Sequence, residues 1–197
     1  MEIINKIKNV LLTPKTEWPV IEAENMPHAK VFTTYVVPLA LIPALAAFIG
    51  YGLIGYSVLG VHVSSISWGI RQAIMLYVTM LGGVYLTAFV LDVLAANFNS
   101  AKDFNRAFSL VAYSYTPMFV AGVFYALPRL SWLASLAGIY GLYLLYIGLK
   151  PMMKTPDEKQ TSYFVISLIV MVVVFVVLSW ILTSIFFRGG YYGGIRF

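Results

Sequence analysis

The chain has 197 residues, of which 60% are hydrophobic and 11% charged, with a net charge of +5 and no cysteine. An ordinary soluble domain is about 45–50% apolar and about 25% charged, so soluble, disordered and coiled-coil classes are excluded. Without cysteine there are no disulfides, thiolate metal sites or cysteine nucleophiles. Several apolar runs approach twenty residues, the length that crosses the roughly 30 Å hydrocarbon layer. The stretch 164–184 is almost continuously apolar, unlike the alternating segments of a membrane β-barrel. The fold class predicted is all-α: a polytopic membrane protein, a five-transmembrane-helix bundle with a short N-terminal amphipathic helix. Its 13 Lys/Arg and 8 Asp/Glu fall mostly between spans, so they report orientation and not a nucleic-acid partner.

Residues 1–30 form the first expected unit, a cytoplasmic amphipathic segment. Ile3, Ile4, Ile7, Val10 and Leu11 recur at helical spacing, which suits a helix lying on the membrane surface or packed on the loops beside it. Pro14 and Pro19 punctuate the segment, and Trp18 between them reads as an interface anchor. The first long apolar run starts near Val31, too late for a cleaved signal, so the N-terminus is expected to be retained.

Residues 31–187 form the expected transmembrane domain. Span 1, over 31–59, is interrupted by Pro38 and Pro43. Each proline strips a partner from the carbonyl four residues earlier, those of Thr34 and Leu39. In lipid such groups need protein or water partners. Span 2 is predicted over 71–96. Ser100–Asp103 resembles a helix-start box before span 3, over 107–127. Pro128-Arg129 turns the chain into span 4, over 130–149. Thr155-Pro156-Asp157-Glu158 reads as cap, first helical position and box residue of span 5. That helix should run to about Phe187, roughly 48 Å at 1.5 Å per residue. Residues 188–197, with four glycines, form an expected loose non-cytoplasmic tail.

With the N-terminus inside, nine cations lie inside: Lys6, Lys8, Lys15, Lys30, Lys102, Arg106, Lys150, Lys154 and Lys159. Four lie outside: Arg71, Arg129, Arg188 and Arg196. The bias favours a cytoplasmic N-terminus and an outside C-terminus, and a multi-pass protein of this class is expected in the cell (inner, cytoplasmic) membrane.

Asp92 is the acidic residue set well within a span, and an intramembrane carboxylate is a functional candidate by default. Its structural alternative is pairing with Lys102 or Arg106. Tyr113-Ser114-Tyr115-Thr116-Pro117 is the densest polar patch in any span. Pro117 removes a partner from the Tyr113 carbonyl. The two features fall in the same half of antiparallel spans, so Asp92 is expected to accept a hydrogen bond from Tyr113, Ser114 or Tyr115. The patch reads as a polar cavity or as interhelical glue. On span 4, Tyr140, Tyr143 and Tyr146 form a packing stripe. Ala134, Ala137, Gly138 and Gly141 form a small-residue face expected to meet span 3. Val/Ile-rich span 5 is expected to face lipid. His28 and His62 lie too far apart to share a metal. No catalytic, cofactor-binding or metal motif is present.

Three motifs carry a resemblance. Pro14-Lys15-x-Glu17-Trp18-x-x-Ile21, Ala112-Tyr113-Ser114-x-Thr116-Pro117, and Tyr140-x-x-Tyr143-Leu-Leu-Tyr146-x-Gly148-Leu-Lys150 resemble the prokaryotic branch of the Yip family of Ypt/Rab-interacting membrane proteins. The resemblance spans nearly the whole chain. It implies five spans with a cytoplasmic N-terminus and an outside C-terminus. The Asp-Leu-Tyr-Gly-Pro motif of eukaryotic members is absent, and Asn97-Phe98-Asn99-Ser100 stands where bacterial relatives often carry a glycine pair. The resemblance therefore brings no GTPase partner with it. Two functions stand open from the sequence. One is a non-enzymatic membrane scaffold or interaction protein, with the lipid bilayer and a membrane-protein partner or second copy as its partners. The other is a small transporter or channel with a polar site near Asp92 and Tyr113–Pro117.

Overall fold

The computed structural model describes residues 2–58 and 61–187; the expected tail lies outside them. Among the described residues five helices are long and apolar enough to cross a membrane, and they are the five spans expected. Span 1 is His28–Ile54, span 2 Ile66–Phe98, span 3 Phe104–Ala126 and span 4 Pro128–Met153. Span 5 is one helix, Asp157–Phe187. A short antiparallel hairpin, β1 (Tyr56–Val58) with β2 (Val61–Val63), joins spans 1 and 2; the sequence reading has no counterpart for it.

Proline shapes span 1 as its spacing predicts. A π-helical turn, Phe32–Val36, precedes Pro38, and a second, Phe48–Ile54, follows Pro43. In the first, the Val37 N–H reaches back to the Phe32 carbonyl. Widened turns of this kind absorb the register that a missing proline N–H disturbs.

Helix starts differ from expectation by a few residues. Asp103, not Ser100, caps span 3, accepting from the Asn105 and Arg106 amides at 2.9 and 3.3 Å. The Pro156 carbonyl accepts from the Lys159 and Gln160 amides at the start of span 5. Thr155 does not cap it: its hydroxyl donates to Leu149 O at 3.2 Å and accepts from the Ser100 hydroxyl at 2.9 Å. The Ala101 amide also bonds Met153 O at 2.7 Å. These bonds tie the connection between spans 2 and 3 to the one between spans 4 and 5.

Span 3 is the centre of the bundle. Residues 107–117 are buried without a break, and span 3 packs against spans 1, 2 and 4. The small-residue face of span 4 does meet it: a Cβ on Gly141 would lie 2.8 Å from Ser114 O. Likewise a Cβ on Gly122 would lie 2.5 Å from Pro43 Cβ. Close backbone approach of this kind supplies the dispersion contacts that hold membrane helices together. Span 5 packs mainly on span 2 and leaves Ile169, Val172, Val173, Val176 and Val177 exposed, as expected of a lipid-facing helix.

The N-terminal segment is two helices, α1 (Glu2–Leu12) and α2 (Pro14–Glu24), folded back on each other at Thr13. The pair docks against the bundle, α1 on span 3 and α2 on span 4. Trp18 is therefore not an interface anchor. It is 1% exposed and fills the space left by Gly148, within reach of Leu110. At the tip of the pair, the Tyr140 hydroxyl donates to Leu11 O at 2.7 Å.

Candidate functional site

The polar groups of the bundle gather where α1 and α2 meet spans 1 and 3. A cavity of about 650 Å³ opens there. Lys6 is part of its lining. Its ammonium donates to Glu17 at 2.9 Å and Glu24 at 2.6 Å and sits 5.9 Å from the centre of the Tyr113 ring. The Glu17 side chain is only 8% exposed, so its charge depends on this partner. Burial draws the Lys6 pKa down, but the hydrogen bonds and charges of Glu24 and Glu17 outweigh it and hold the pKa above its ordinary value.

Beneath the cavity, the Tyr35 and Tyr113 rings lie 4.6 Å apart. The Thr116 hydroxyl donates to Tyr113 O at 2.6 Å. The Tyr35 hydroxyl, 2.7 Å from Thr116 Oγ1, then donates to it, because the Thr116 proton is already committed. Thr116 thus partners the carbonyl that Pro117 deprives of its usual amide, and it ties span 1 to span 3. Helix geometry breaks at this point, between Ser114 and Thr116.

The other patch residues divide. The buried Ser114 Oγ has no partner among the described residues. The Tyr115 hydroxyl interacts with Thr87 on span 2. Pro117 is buried against the bundle.

Asp92 does not join them. The buried stripe of span 2 runs through Met80, Val84, Thr87, Ala88, Leu91 and Ala95. Asp92 is about 100° round the helix from Leu91, on the side toward span 5. Tyr163 of span 5 is its neighbour and donates to Leu91 O at 2.6 Å. Asp92 Oδ1 is buried with no partner among the described residues, so the expected bond to the span 3 patch is absent at that oxygen. Pairing with Arg106 is absent too. Arg106 Nη1 instead reaches Glu22 at 2.8 Å, and its Nε lies 3.4 Å from Asp103. Glu22 also meets Lys154 at 3.0 Å. These two cations, Lys154 first, hold the Glu22 carboxyl below the ordinary carboxylate range. This second cluster fastens α2 to the ends of spans 3 and 4. His28, whose amide and Nδ1 both lie 2.8 Å from Asn105 Oδ1, packs among Phe104, Phe108 and Tyr85.

Of the expected polar cluster, Tyr113 lines this cavity and Thr116 bonds Tyr35 beneath it, whereas Lys6, Glu17, Glu24 and Tyr35 were not among the expected residues. Glu17 stood inside a motif, and its adjacency to Trp18 was the available signal. A second, smaller cavity of about 250 Å³ lies toward the other end of the bundle, lined in part by Tyr51, Gln72, Thr79, Tyr125 and Ser179. Buried Leu39, Ala40, Val84 and Phe119 lie on the spans between the two.

A five-span bundle with its polar cluster under a docked helical pair defines a multi-pass membrane protein built around one central helix. The chain belongs to the Yip1 family: the Yip1 domain matches residues 8–181, which takes in α2, all of spans 1–4 and most of span 5. It is similar to the inner membrane protein YohC of Escherichia coli strain K12, with 32% identity over 184 residues, 90% of this chain and 93% of that one. The same protein of E. coli strain O6:H1 matches to the same extent. No solved structure matches.

Proposed function

We propose that this chain is a non-enzymatic scaffold or interaction protein of the inner membrane, working in the lipid bilayer with a membrane-protein partner or a second copy of itself. One observation carries the reading. The axis of the bundle is occupied by span 3, buried continuously over residues 107–117, where a permeation path would need open, hydrated space. The similarity to an inner membrane protein supports the membrane, and the excess of nine cations over four supports a cytoplasmic N-terminus. On this placement the docked pair α1 and α2 is the cytoplasmic face offered to partners.

The rival reading, a small transporter or channel, is favoured by cavities of about 650 and 250 Å³ toward opposite ends of the bundle, and by Asp92 Oδ1, which has no partner among the described residues. Reconstitution separates the two. Liposomes containing the wild type should carry no proton, cation or anion current above empty liposomes. A current that Asp92→Asn abolishes would overturn the scaffold reading and install the transporter.

A further inference from the structure

The groove around Lys6 descends into the bundle. Tyr113 lies nine residues after Phe104, the first residue of span 3, about 13 Å at 1.5 Å per residue. Tyr35 lies seven residues after His28, where span 1 begins, about 10 Å by the same rise. Tyr140, which holds the tip of the helical pair, lies thirteen residues before Met153, about 20 Å from that end of span 4. Charged groups therefore line a cavity whose floor lies about 10–13 Å along spans 1 and 3 from their first residues.

Its charges balance. Lys6 and Lys30 oppose Glu17 and Glu24, so the lining fits a zwitterion rather than a net anion. Two of the three donors of the Lys6 ammonium are used on the carboxylates, and the third is open. Lys30 makes no ion pair among the described residues, and the Tyr113 hydroxyl makes no hydrogen bond among them. The carboxylates keep a second oxygen each, since Lys6 engages Oε1 of both. Ile3, Val20 and Met26 give the same lining an apolar part. A volume of about 650 Å³ is in the range of small-molecule sites, about 300–1,000 Å³.

We infer that this groove is a phospholipid headgroup site selective for a zwitterionic headgroup with a primary amine, a phosphoethanolamine. The lipid ammonium meets the second carboxylate oxygens of Glu17 and Glu24 beside Lys6, the phosphate lies between the third Lys6 donor and Lys30, and the acyl chains leave past Ile3 and Val20. A primary ammonium donates up to three hydrogen bonds to the carboxylates. A choline headgroup donates none, and a glycerol headgroup brings no cation to the carboxylate oxygens that Lys6 leaves free. The inference goes beyond the scaffold reading and does not depend on it, since the groove is lined in the same way whether or not the bundle conducts.

The test is native mass spectrometry of the full chain in detergent, titrated with dioleoyl phosphatidylethanolamine, phosphatidylcholine and phosphatidylglycerol in parallel. One phosphatidylethanolamine should be retained about tenfold more tightly than either other lipid. Lys30→Met and Glu24→Gln should each weaken it about tenfold, a difference of about 1.4 kcal/mol. Lys30 is exposed and Glu24 partly so, so both variants should fold, and an unchanged melting temperature checks this. Equal retention of the three lipids, or undiminished retention in both folded variants, overturns the site. Soluble glycerophosphoethanolamine should fail to displace the lipid at equal concentration. Efficient displacement would make the ligand a soluble phosphodiester and overturn the lipid assignment.

Discussion

Trp18 occupies the space that Gly148 leaves empty. A Cβ on Gly148 would lie 2.7 Å from Trp18 Cε2 and 2.5 Å from Leu110 Cδ1, so α2 docks on span 4 only because that position has no side chain. Gly148→Val should cost about 1–3 kcal/mol by overpacking, and Trp18→Ala about 3 kcal/mol or more by loss of a buried aromatic. The two should not add. With Trp18 removed, valine at 148 gains room on that side while the Leu110 contact remains, so its added cost should fall but not vanish. Apparent melting temperatures of the four proteins in one detergent close this cycle. Strict additivity would show that the residues are not in contact.

The Trp18–Gly148 contact joins two motifs that the sequence displayed separately, Pro14–Ile21 and Tyr140–Lys150. Each was legible as a pattern, but their meeting was not, because nothing in a short polar helix states how deep it docks. The five spans were legible because burial in lipid demands about twenty apolar residues whatever the neighbours. The direction of Asp92 was not. The lipid face and the core face of span 2 are both apolar, with Phe89 and Val93 exposed and Ala88 and Leu91 buried. Polarity then carries no azimuth, and a carboxylate at that level of the helix could face span 3 or span 5. Thr116 was legible because Pro117 creates a specific need, an acceptor without its amide. Lys6 was not: a lysine in an N-terminal helix reads as a surface charge unless its carboxylates are known to be buried with it.

Lys6 and Glu17 give the second prediction. Lys6→Met leaves the Glu17 carboxylate with a side-chain exposure of 8% and no counter-charge, which should cost about 2 kcal/mol or more. Lys6→Met combined with Glu17→Gln should recover much of that loss. A double variant as unstable as the single one would show that the pair packs without electrostatic dependence.

The raised pKa of Lys6 gives its pH dependence a definite sign. Its folded value lies above the ordinary 10.5, so its contribution is complete below pH 10.5 and is lost as pH rises through the folded value. The wild type should therefore lose its stability advantage over Lys6→Met in strongly alkaline buffer, with the gap constant at neutral pH. A gap that widened above pH 10.5 would contradict the ion-pair assignment.

Glu22 behaves in the opposite sense. Its pKa is held below the ordinary 4.5 by Lys154 and Arg106, so its contribution is present above pH 4.5 and disappears as pH falls through the folded value. Glu22 sits at the bundle end in contact with solvent, where salt screens such pairs. The stability difference between wild type and Glu22→Gln should be small, should shrink in high salt, and should vanish in acid. A difference that persisted in acid would mean that Glu22 acts by packing.

Thr116 sets a sharper test, because one hydroxyl serves two groups. Thr116→Val keeps the shape but leaves Tyr113 O and the Tyr35 hydroxyl without the partners they now have at 2.6 and 2.7 Å. Leaving buried polar groups unmade costs about 1–3 kcal/mol, and Thr116→Ser should restore the bonds. Tyr35→Phe removes only the interhelical bond, about 0.6 kcal/mol in a membrane setting. The decisive variant is Thr116→Val with Pro117→Ala. Alanine at 117 returns an amide that can donate to Tyr113 O, the bond that proline denies in the native chain. The double variant should then be more stable than Thr116→Val alone, by about 1 kcal/mol. If Pro117→Ala instead worsened Thr116→Val, the break at Tyr115 would be set by packing of the proline ring, and the hydroxyl would be a passenger rather than the partner of that carbonyl.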